Sequence, residues 1–595
     1  MASSSKIVVF IGLNEIDLSK KYKYKSIRIE KFINKISTAN IEIEDGNTGT
    51  AIYDVCDSDE FKCGGDIVIK AGYGDEVEQI FKGKIIEVNI SLESDGSSHF
   101  SIVCRSVLYQ LSLRRKSRYF ENALDSESFD QILSEYPEIQ KEIDPTEVIH
   151  ESLVQQNITD WDFINMRAEA NGHVVISDNE FLKIKKINSD QDPKQKIQFG
   201  KDIISMKLSQ NSRSQLSSVE GKTWKSEELK YEETNSEMAS FESFGSTDSK
   251  LLAESTLSEK DFIVDTGCIS SEELSKVGES ALNFSRASKI NGEILINGNF
   301  LFELGKTIEI VKGSRIFEGK AYISGISHYL CEGSWQTKIS IGIPFEKYYT
   351  KYNNIQSPPA LGGIGAVSGL SIGTIKKISE DPKMMHRFFV NIPSIHKEEE
   401  GIWCRSLTLA AGEKSGVQFF PDKNSEVVIG FFNNDPRQGI VLGAMFGKMH
   451  NPPKEITDEN LKQAFVTKEK LELSFDDEEK NISIIIPGDE EISIKISNSP
   501  EKKSITMQKG ETNFIKIGDE GIEMCTNKDI KLSADGAINI SGKLEAKFES
   551  MGETSISGLM TKVQGEAEAE VKGAGRVSLT ADGETVVRGA IVMIN

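Results

Sequence analysis

Strict alternation of apolar and polar residues recurs along most of the chain. It is clearest in SIRIEKF, DIVIKAGYG, IFKGKIIEVNI, KTIEIVKG and QTKISIGIP. A period of two residues places the apolar side chains on one face of a strand and the polar side chains on the other. The pattern therefore predicts a mainly β protein.

Three stretches carry helical signals instead. Residues 124–136 have Ser and Asp near their start and stop before Pro137. Residues 159–172 have Thr159 as N-cap and Gly172 as C-terminal stop, and residues 272–288 form the third predicted helix. Residues 210–260 are polar and rich in Ser, Glu and Lys, which predicts a long loop or mobile insertion.

Two proline-containing joints divide the chain. The first, residues 355–369, reads IQSPPALGGIGAVSG, and its glycines lack the preceding strand and the spacing of a dinucleotide-binding loop. The second, residues 451–460, reads NPPKEITDEN. The predicted domains are therefore residues 1–354, residues 366–447, a linker over 448–465 and a C-terminal region over 466–595.

The C-terminal region contains an internal repeat of about eight residues. Residues 565–573 read GEAEAEVKG, whose acidic and apolar residues would mix around a helix but separate on the two faces of a strand. Glycine often follows the apolar positions, which predicts a glycine turn at each corner. Apolar residues recur every seven or eight positions at Ile515, Ile522, Ile530 and Ile538, and again at Ile556, Val563, Val571, Leu579, Val586 and Ile594.

Strands this short cannot bury a core alone, so the repeat predicts chains that wind together into a needle, with three as the natural number for a prism. The predicted inward-facing core residues of the trimer are Ile530, Ile538, Ile556, Val563, Val571, Leu579 and Val586. A single-chain β-solenoid and a disordered tail are the alternatives. The fixed spacing of Ile and Val argues against disorder.

Charge and composition exclude several function classes. The 595-residue chain has a formal net charge of −22, which disfavours nucleic acid as a main partner because phosphate binding needs a basic face. The sequence has no apolar run long enough to span a bilayer and no signal-peptide pattern, so we expect synthesis in the cytoplasm. Its seven cysteines, an odd number, argue against a disulfide framework.

Candidate chemistry is sparse. The seven histidines form no HxxxH or HExxH motif, and none lies in the predicted needle. No GxSxG motif or Cys/His constellation is present, and adjacent acids such as DDEEK are typical of solvated surface. The sequence therefore predicts no enzymatic activity, no cofactor and no metal site.

Residues 366–447 have the short strands and Gly, Pro and Asp turns of an OB-fold barrel. Here the chain resembles the VgrG family, the trimeric spikes of type VI secretion systems, which are similar to the fused hub and spike of contractile phage tails. His386 and Asn424 stand where that family usually has glycine. The resemblance rests on Gly373, Asp381, Pro382, Arg387, Pro393, Trp403, Arg405, Pro421, Glu426, Val427, Asp435, Pro436, Arg437 and Gly443.

The resemblance implies a hub of two β-barrel-like domains with helical insertions over residues 1–354, an OB-fold domain, and a C-terminal intertwined trimeric β-helix needle. It implies a homotrimeric structural spike that caps a hexameric Hcp-type tube, contacts baseplate proteins, punctures a target membrane and carries effectors or their chaperones. It also implies assembly in the bacterial cytoplasm followed by secretion or injection. A PAAR-type tip protein would dock on Val587, Ile591, Val592, Ile594 and Asn595.

Two alternatives remain. A hub-spike of a phage tail or of an extracellular contractile injection particle would have the same shape. A trimeric tailspike enzyme that degrades polysaccharide would need paired carboxylates and aromatic sugar platforms, whereas Phe514 and Phe548 are the only aromatic residues after residue 500.

Overall fold

A computed structural model describes residues 5–11, 14–16, 18–46, 49, 52–225, 228, 230–256, 260–265, 269–331, 333–352, 354–355, 360 and 365–594. The chain divides into two compact units, Met1–Met445 and Phe446–Asn595. Among the described residues, no helix is long and apolar enough to cross a membrane.

The first unit begins with a mainly β region that precedes the barrel. Its strands are β1 (Ser5–Ile11), β2 (Asn14–Ile16), β3 (Tyr24–Phe32), β4 (Thr38–Glu44), β5 (Asp66–Tyr73), β6 (Glu76–Leu92), β7 (Ser98–Arg105), β8 (Arg115–Leu124), β9 (Gln140–Ile143), β10 (Ile149–Thr159), β11 (His173–Asp178), β12 (Phe181–Lys186), β13 (Lys196–Gln198), β14 (Ile203–Gln210), β15 (Ser218–Lys225), β16 (Lys230–Ser236), β17 (Lys260–Asp265), β18 (Ile290–Asn297), β19 (Thr307–Val311), β20 (Gly319–Cys331) and β21 (Ser334–Ile341). Its helices are α1 (Leu18–Lys21), α2 (Asp125–Leu133), α3 (Asp160–Ala170), α4 (Ser249–Ser255), α5 (Ser271–Ala287) and α6 (Tyr348–Lys351).

One large sheet connects the start and the end of this region. It has thirteen strands, in the order β14-β18-β21-β20-β3-β4-β7-β6-β5-β1-β2, with β13 and β19 attached through β20. The antiparallel pairing of β20 with β3 joins the two halves of the sheet. Each half packs its own apolar core, one around Phe81 and Phe100 and the other around Ile294 and Ile339. The first core also takes in Leu330 from β20 and Trp335 from β21, so the two predicted β-domains share a sheet and are joined by packing as well.

The three predicted helices are confirmed as α2, α3 and α5. Thr159 caps α3 as expected, since its Oγ1 accepts a hydrogen bond of 3.1 Å from the backbone N–H of Asp162. Gly172 follows the helix with φ of +71°, the left-handed conformation that ends many helices. Capping signals are local in sequence, which is why they could be read without the fold.

The prediction of a long loop over residues 210–260 is wrong. This segment contains β15, β16 and α4, and β15 also pairs with β17 in a small sheet ordered β16-β15-β17. Helix α5 packs on this sheet at Gly278, where a Cβ would lie only 2.9 Å from Ser236 Oγ. The contact buries Val219 and Leu274 against glycines, so a few apolar side chains are enough to hold the segment on the helix. The polar composition of the segment as a whole did not indicate this.

The predicted OB-type barrel is confirmed. It closes in the order β22-β23-β24-β28-β27 around a core that includes Ile375, Val390 and Ile429. A short hairpin, β25 with β26, extends from it. The strands are β22 (Ser371–Lys377), β23 (Phe388–Asn391), β24 (Ile402–Ser406), β25 (Ala411–Gly412), β26 (Ser415–Gly416), β27 (Glu426–Phe431) and β28 (Gly439–Ala444).

The second unit contains a seven-stranded antiparallel meander in which each strand pairs with the next. The first strand starts inside the predicted linker, and each strand up to Cys525 pairs with its neighbour in the same chain. In residues 526–594, all of which are described, no strand is assigned within the single chain. The strands are β29 (Lys462–Val466), β30 (Glu472–Asp476), β31 (Asn481–Ile486), β32 (Ile492–Ser499), β33 (Lys502–Lys509), β34 (Asn513–Gly518) and β35 (Gly521–Cys525).

Candidate assembly surface

Two rows of apolar side chains cross one face of the C-terminal sheet. Cross-strand pairing places the members of each row opposite one another on successive strands, and the two rows lie on the same face because they are two residues apart. The first row is Phe465, Leu473, Ile484, Ile494, Met507, Ile515 and Met524. The second is Phe475, Ile482, Ile496, Ile505, Ile517 and Ile522. We call these thirteen residues the apolar face.

The opposite face of the sheet is mostly polar. Lys495, Thr506, Lys516 and Glu523 form one row across it. On the same face, Ser474 and Ser483 are buried, and their Oγ atoms form a hydrogen bond of 2.8 Å. The alternation that predicted strands thus separates the two kinds of side chain as expected.

Burial in the C-terminal unit is the reverse of that in a folded globular domain. The buried residues of its described part are serines, whereas Ile484 on the apolar face is 45% exposed. Every cluster of buried apolar side chains in the described chain lies at or before Val441. Burial of apolar surface is the main favourable term in folding, about 25 cal/mol per Å². The apolar face therefore needs a covering partner.

The predicted needle residues share this exposure. In the single chain, Ile530, Ile538, Ile556, Val563, Val571, Leu579 and Val586 are all exposed, from 52% at Ile538 to 81% at Val563. The predicted tip-docking residues Val587, Ile591, Val592 and Ile594 are exposed as well, and Asn595 lies outside the described residues. Their roles as core and docking residues stay predictions.

We call residues 526–594 the tail. Glycines in the tail mark tight corners of the chain. A Cβ at Gly542 would lie 2.3 Å from the carbonyl oxygen of Glu545, and one at Gly565 would lie 2.1 Å from that of Glu568. Neither glycine has φ in the left-handed region, so close approach of the backbone, rather than a special dihedral angle, excludes a side chain there. The same corner thus recurs along the tail.

In the barrel, the structure brings Asp381 and Arg387 of the predicted signature together. Arg387 Nε donates to Asp381 Oδ2 at 3.1 Å, and the same oxygen accepts from the backbone N–H of Met385 at 2.8 Å. The hydrogen bond from Arg387 holds the pKa of Asp381 well below its usual range. His386 and Asn424 have φ of +55° and +72°, the left-handed region, which accounts for the glycine usual at these positions in the VgrG family.

The other signature residues support the barrel at separate places. Arg437 Nε donates to Asp435 Oδ1 at 2.9 Å, beside Pro436. The Trp403 ring lies 5.4 Å from that of Phe389 on the neighbouring strand. A Cβ at Gly373 would lie 2.7 Å from Val390 Cγ1, so barrel packing requires glycine there. Arg405 and Pro382 are exposed, Pro421 is half-buried, and a Cβ at Gly443 would meet no atom within 4 Å.

A buried ionic cluster in the first unit was missed by sequence reasoning. Arg167 Nε contacts Asp125 Oδ1 at 2.7 Å, and Arg167 Nη2 contacts Glu273 Oε1 at 2.9 Å. His150 lies between the same two carboxylates, with Nε2 2.9 Å from Asp125 and Nδ1 3.4 Å from Glu273. These contacts join α2, α3, β10 and α5, and so fasten α5, which carries the small sheet, to the rest of the unit.

The cluster is charged at neutral pH. Hydrogen bonds to Asp125 and then to Glu273 raise the pKa of His150 to about 9. Burial alone would raise the pKa of Asp125, but His150 and Arg167 hold it well below its usual range. The two positive and two negative groups therefore balance inside the protein, as expected of a cluster that holds structural elements together.

Among the described residues, no group of three or more His, Cys, Asp or Glu side chains is placed to hold a metal ion. The six cysteines within the described ranges are free thiols. Burial raises the pKa of Cys404 to about 12, which leaves this thiol protonated and unreactive in the barrel core.

Two family models match the chain. One, described as the Alg8 N-terminal domain, matches residues 3–332. The other, described as the Type VI secretion system/phage-baseplate injector OB domain, matches residues 371–446 and coincides with the closed barrel. The second match confirms the resemblance predicted from the barrel residues. No curated protein matches the chain.

Several solved structures are similar to parts of the chain. A 43 kDa tail protein of prophage MuSo2 from Shewanella oneidensis has 14% identity and a TM-score of 0.45, covering 57% of this chain and 99% of its own. The E. coli c3393 protein, a component of the type VI secretion system, has 10% identity and a TM-score of 0.37, covering 73% and 99%. A Francisella PdpA-VgrG complex has 11% identity and a TM-score of 0.39, covering 86% and 89%.

Proposed function

The chain belongs to the Alg8 N-terminal domain family over residues 3–332 and carries an injector OB domain over residues 371–446, and from this premise we propose that it is the structural hub and spike of a contractile injection apparatus. The observation that carries the proposal is the order of domains: a mainly β hub, the injector barrel, and a C-terminal unit whose apolar face is uncovered.

The spike is a homotrimer. Covering by copies of the same chain explains why the apolar rows run across the whole sheet and why the tail keeps exposed Ile and Val at fixed spacing. A trimer carries three times the chain's net charge of −22, so burial of the apolar faces has to outweigh repulsion among acidic surfaces. In this proposal the tail forms the intertwined β-helix needle, with its glycine corners at the edges.

The partners follow from this role. The hub caps a hexameric Hcp-type tube and contacts baseplate proteins, while the end of the needle takes a PAAR-type tip protein on Val587, Ile591, Val592, Ile594 and Asn595. The spike carries effectors or their chaperones. It assembles in the bacterial cytoplasm and is then secreted or injected through a target membrane.

The spike acts without catalysis of its own and without a cofactor or metal. Contraction of the apparatus supplies the work, and the protein supplies stiffness through hydrogen-bonded ladders and shared apolar burial. A tailspike polysaccharide-degrading enzyme is the less favoured hypothesis, because the tail has no aromatic sugar platform.

A second candidate function requires the same order of domains. The injector OB domain model covers phage baseplates as well as type VI secretion, so the hub-spike of a phage tail or extracellular particle fits the same match. Affinity purification of the full-length protein from its host, with mass spectrometry of what accompanies it, tests both. Recovery of tube and tip proteins supports the injection spike, and further recovery of capsid proteins identifies a phage tail. If neither tube nor baseplate proteins are recovered, and the purified protein releases sugars from glycans, both spike hypotheses are contradicted.

A further inference from the structure

A cavity of about 220 Å³ lies in the first unit between α3, α5 and residues 343–352. It is larger than the engineered cavity of about 150 Å³ that binds benzene in another protein. The cavity is therefore large enough for an aryl group or a short alkyl chain. All of its lining residues belong to the first unit, and none belongs to the apolar face on which the proposed function rests.

The floor of the cavity is apolar. Ile33, Phe284, Ile343 and Tyr348 line it and are buried. Tyr352 adds a second aromatic wall, with its ring 5.0 Å from that of Tyr348. A floor of this kind favours an apolar group by removing its surface from water.

The rim of the cavity is basic. Lys35, Lys347 and Lys351 line it, and Lys351 is 4.0 Å from the carboxylate of Glu346. In the described part of the chain, neither Lys35 nor Lys347 has a carboxylate within 4 Å, although Lys35 lies 5.0 Å from the centre of the Phe32 ring. Two ammonium groups are therefore available to an anion at the mouth.

Glu169 and Glu346 are the acidic residues of the lining, and Glu169 is the one that anchors the wall. Its Oε2 accepts a hydrogen bond of 2.8 Å from the backbone N–H of Tyr348, so this oxygen holds the 343–352 segment in place. Burial raises the pKa of Glu169. With Lys35, Lys347 and Lys351 against Glu169 and Glu346, the lining has one more positive than negative side chain.

We propose that this cavity binds an aryl or short alkyl group that carries a carboxylate, with the apolar part against Phe284 and Tyr348 and the carboxylate beside Lys35 and Lys347. The same chemistry is present in a free small acid and in the C-terminal residue of a protein that ends in an aromatic side chain. Such a group fills the apolar floor and neutralises the rim at once.

Calorimetric titration of the full-length protein with 3-phenylpropionate tests the proposal. Matched probes are 3-phenylpropanol and 3-phenylpropylamine, which keep the ring and change the charge. The acid should bind about tenfold more tightly than the alcohol, because it gains one charge pair at a partly exposed site. The amine should bind most weakly of the three. Equal binding of acid and amine, or no binding of the acid, would overturn the proposal.

Two variants locate the binding. Lys347→Glu should lower the affinity for the acid about tenfold and leave that for the alcohol nearly unchanged. Val277→Phe, which fills the cavity from α5, should abolish binding of both. Lys201→Glu, an exposed lysine that does not line the cavity, is the control. If Lys347→Glu binds the acid as tightly as the native protein does, the proposed binding site is contradicted. This outcome can be read even if Val277→Phe fails to fold.

A further comparison separates the sources of the carboxylate. A short peptide that ends in Phe is titrated with its C-terminus free and amidated. Tighter binding of the free form than of 3-phenylpropionate supports the site with a protein terminus as ligand. Binding of 3-phenylpropionate without the peptide supports it with a small acid.

Discussion

Ile484 on β31 pairs with Ile494 on β32, and both side chains lie on the apolar face of a sheet that has no covering layer in the single chain. We predict that Ile484→Lys weakens trimer formation by at least about a hundredfold, because three unpaired ammonium groups would be buried together. Sedimentation at several concentrations measures the change.

Asn481→Lys is the matched control for that substitution. Asn481 lies on the same strand but on the polar face, opposite Asp476. This variant should trimerise as the native chain does. If both lysine variants assemble normally, the apolar face is not the trimer contact, and if both fail equally, the two faces are assigned wrongly.

Gly565 should tolerate no side chain. In Gly565→Ala the new Cβ would lie 2.1 Å from the carbonyl oxygen of Glu568, so we expect a loss of about 1–3 kcal/mol per chain. Gly575→Ala is the control, since a Cβ there would meet no atom within 4 Å. Thermal unfolding of the two variants measures the difference, and equal melting temperatures would contradict the corner geometry.

Arg387 should be needed for the shape of the barrel loop that contains Asp381. Arg387→Ala removes the side chain that holds this carboxylate, while Arg387→Lys keeps the charge but cannot reproduce the forked contact. We expect the alanine variant to lower the melting temperature of the barrel most and the lysine variant to restore it partly. Arg405→Ala, at an exposed position, should have little effect, and full rescue by lysine would contradict the forked contact.

The buried cluster around His150 predicts how stability depends on pH. The pKa of His150 in the folded protein is about 9, above the ordinary value of 6.5. The stabilisation is therefore fully present below pH 6.5 and is lost as pH rises through 9, at about 1.4 kcal/mol for each pH unit between the two pKa values. Denaturant unfolding between pH 6 and pH 10 measures this decline.

His150→Gln should remove that pH dependence from the first unit, whereas His450→Gln, at an exposed position in the second unit, should keep it. A native protein whose stability does not fall between pH 6.5 and pH 9 would show that His150 is not held in its charged form.

Local patterns predicted the mainly β fold, the three helices and the barrel, because residue period, helix caps and turn residues act over a few positions. The ionic cluster could not be predicted in this way: Asp125 and Glu273 are far apart in sequence, and both reach His150 and Arg167 only because α2 and α5 each pack on α3. The small sheet at residues 210–260 was missed because its contact with α5 needs only a few apolar side chains, such as Val219 and Leu274, packed against glycines.

Strand pairing could not be predicted from local patterns either. In the structure Ile484 pairs with Ile494 on one face, but a period of two in the sequence does not say which strand lies alongside. The sequence therefore predicted an intertwined needle over 466–595 without revealing that the strands up to Cys525 pair with neighbours in the same chain. The intertwined partner of the tail beyond Cys525 stays a proposal.

Light scattering coupled to size exclusion of the full-length protein tests the trimeric spike most directly. We predict a particle with three times the 66.0 kDa mass of the chain, stable on dilution to nanomolar concentration. A folded, soluble monomer that keeps its C-terminal unit resistant to proteolysis would contradict the trimer, since the apolar face would then be stable without a partner.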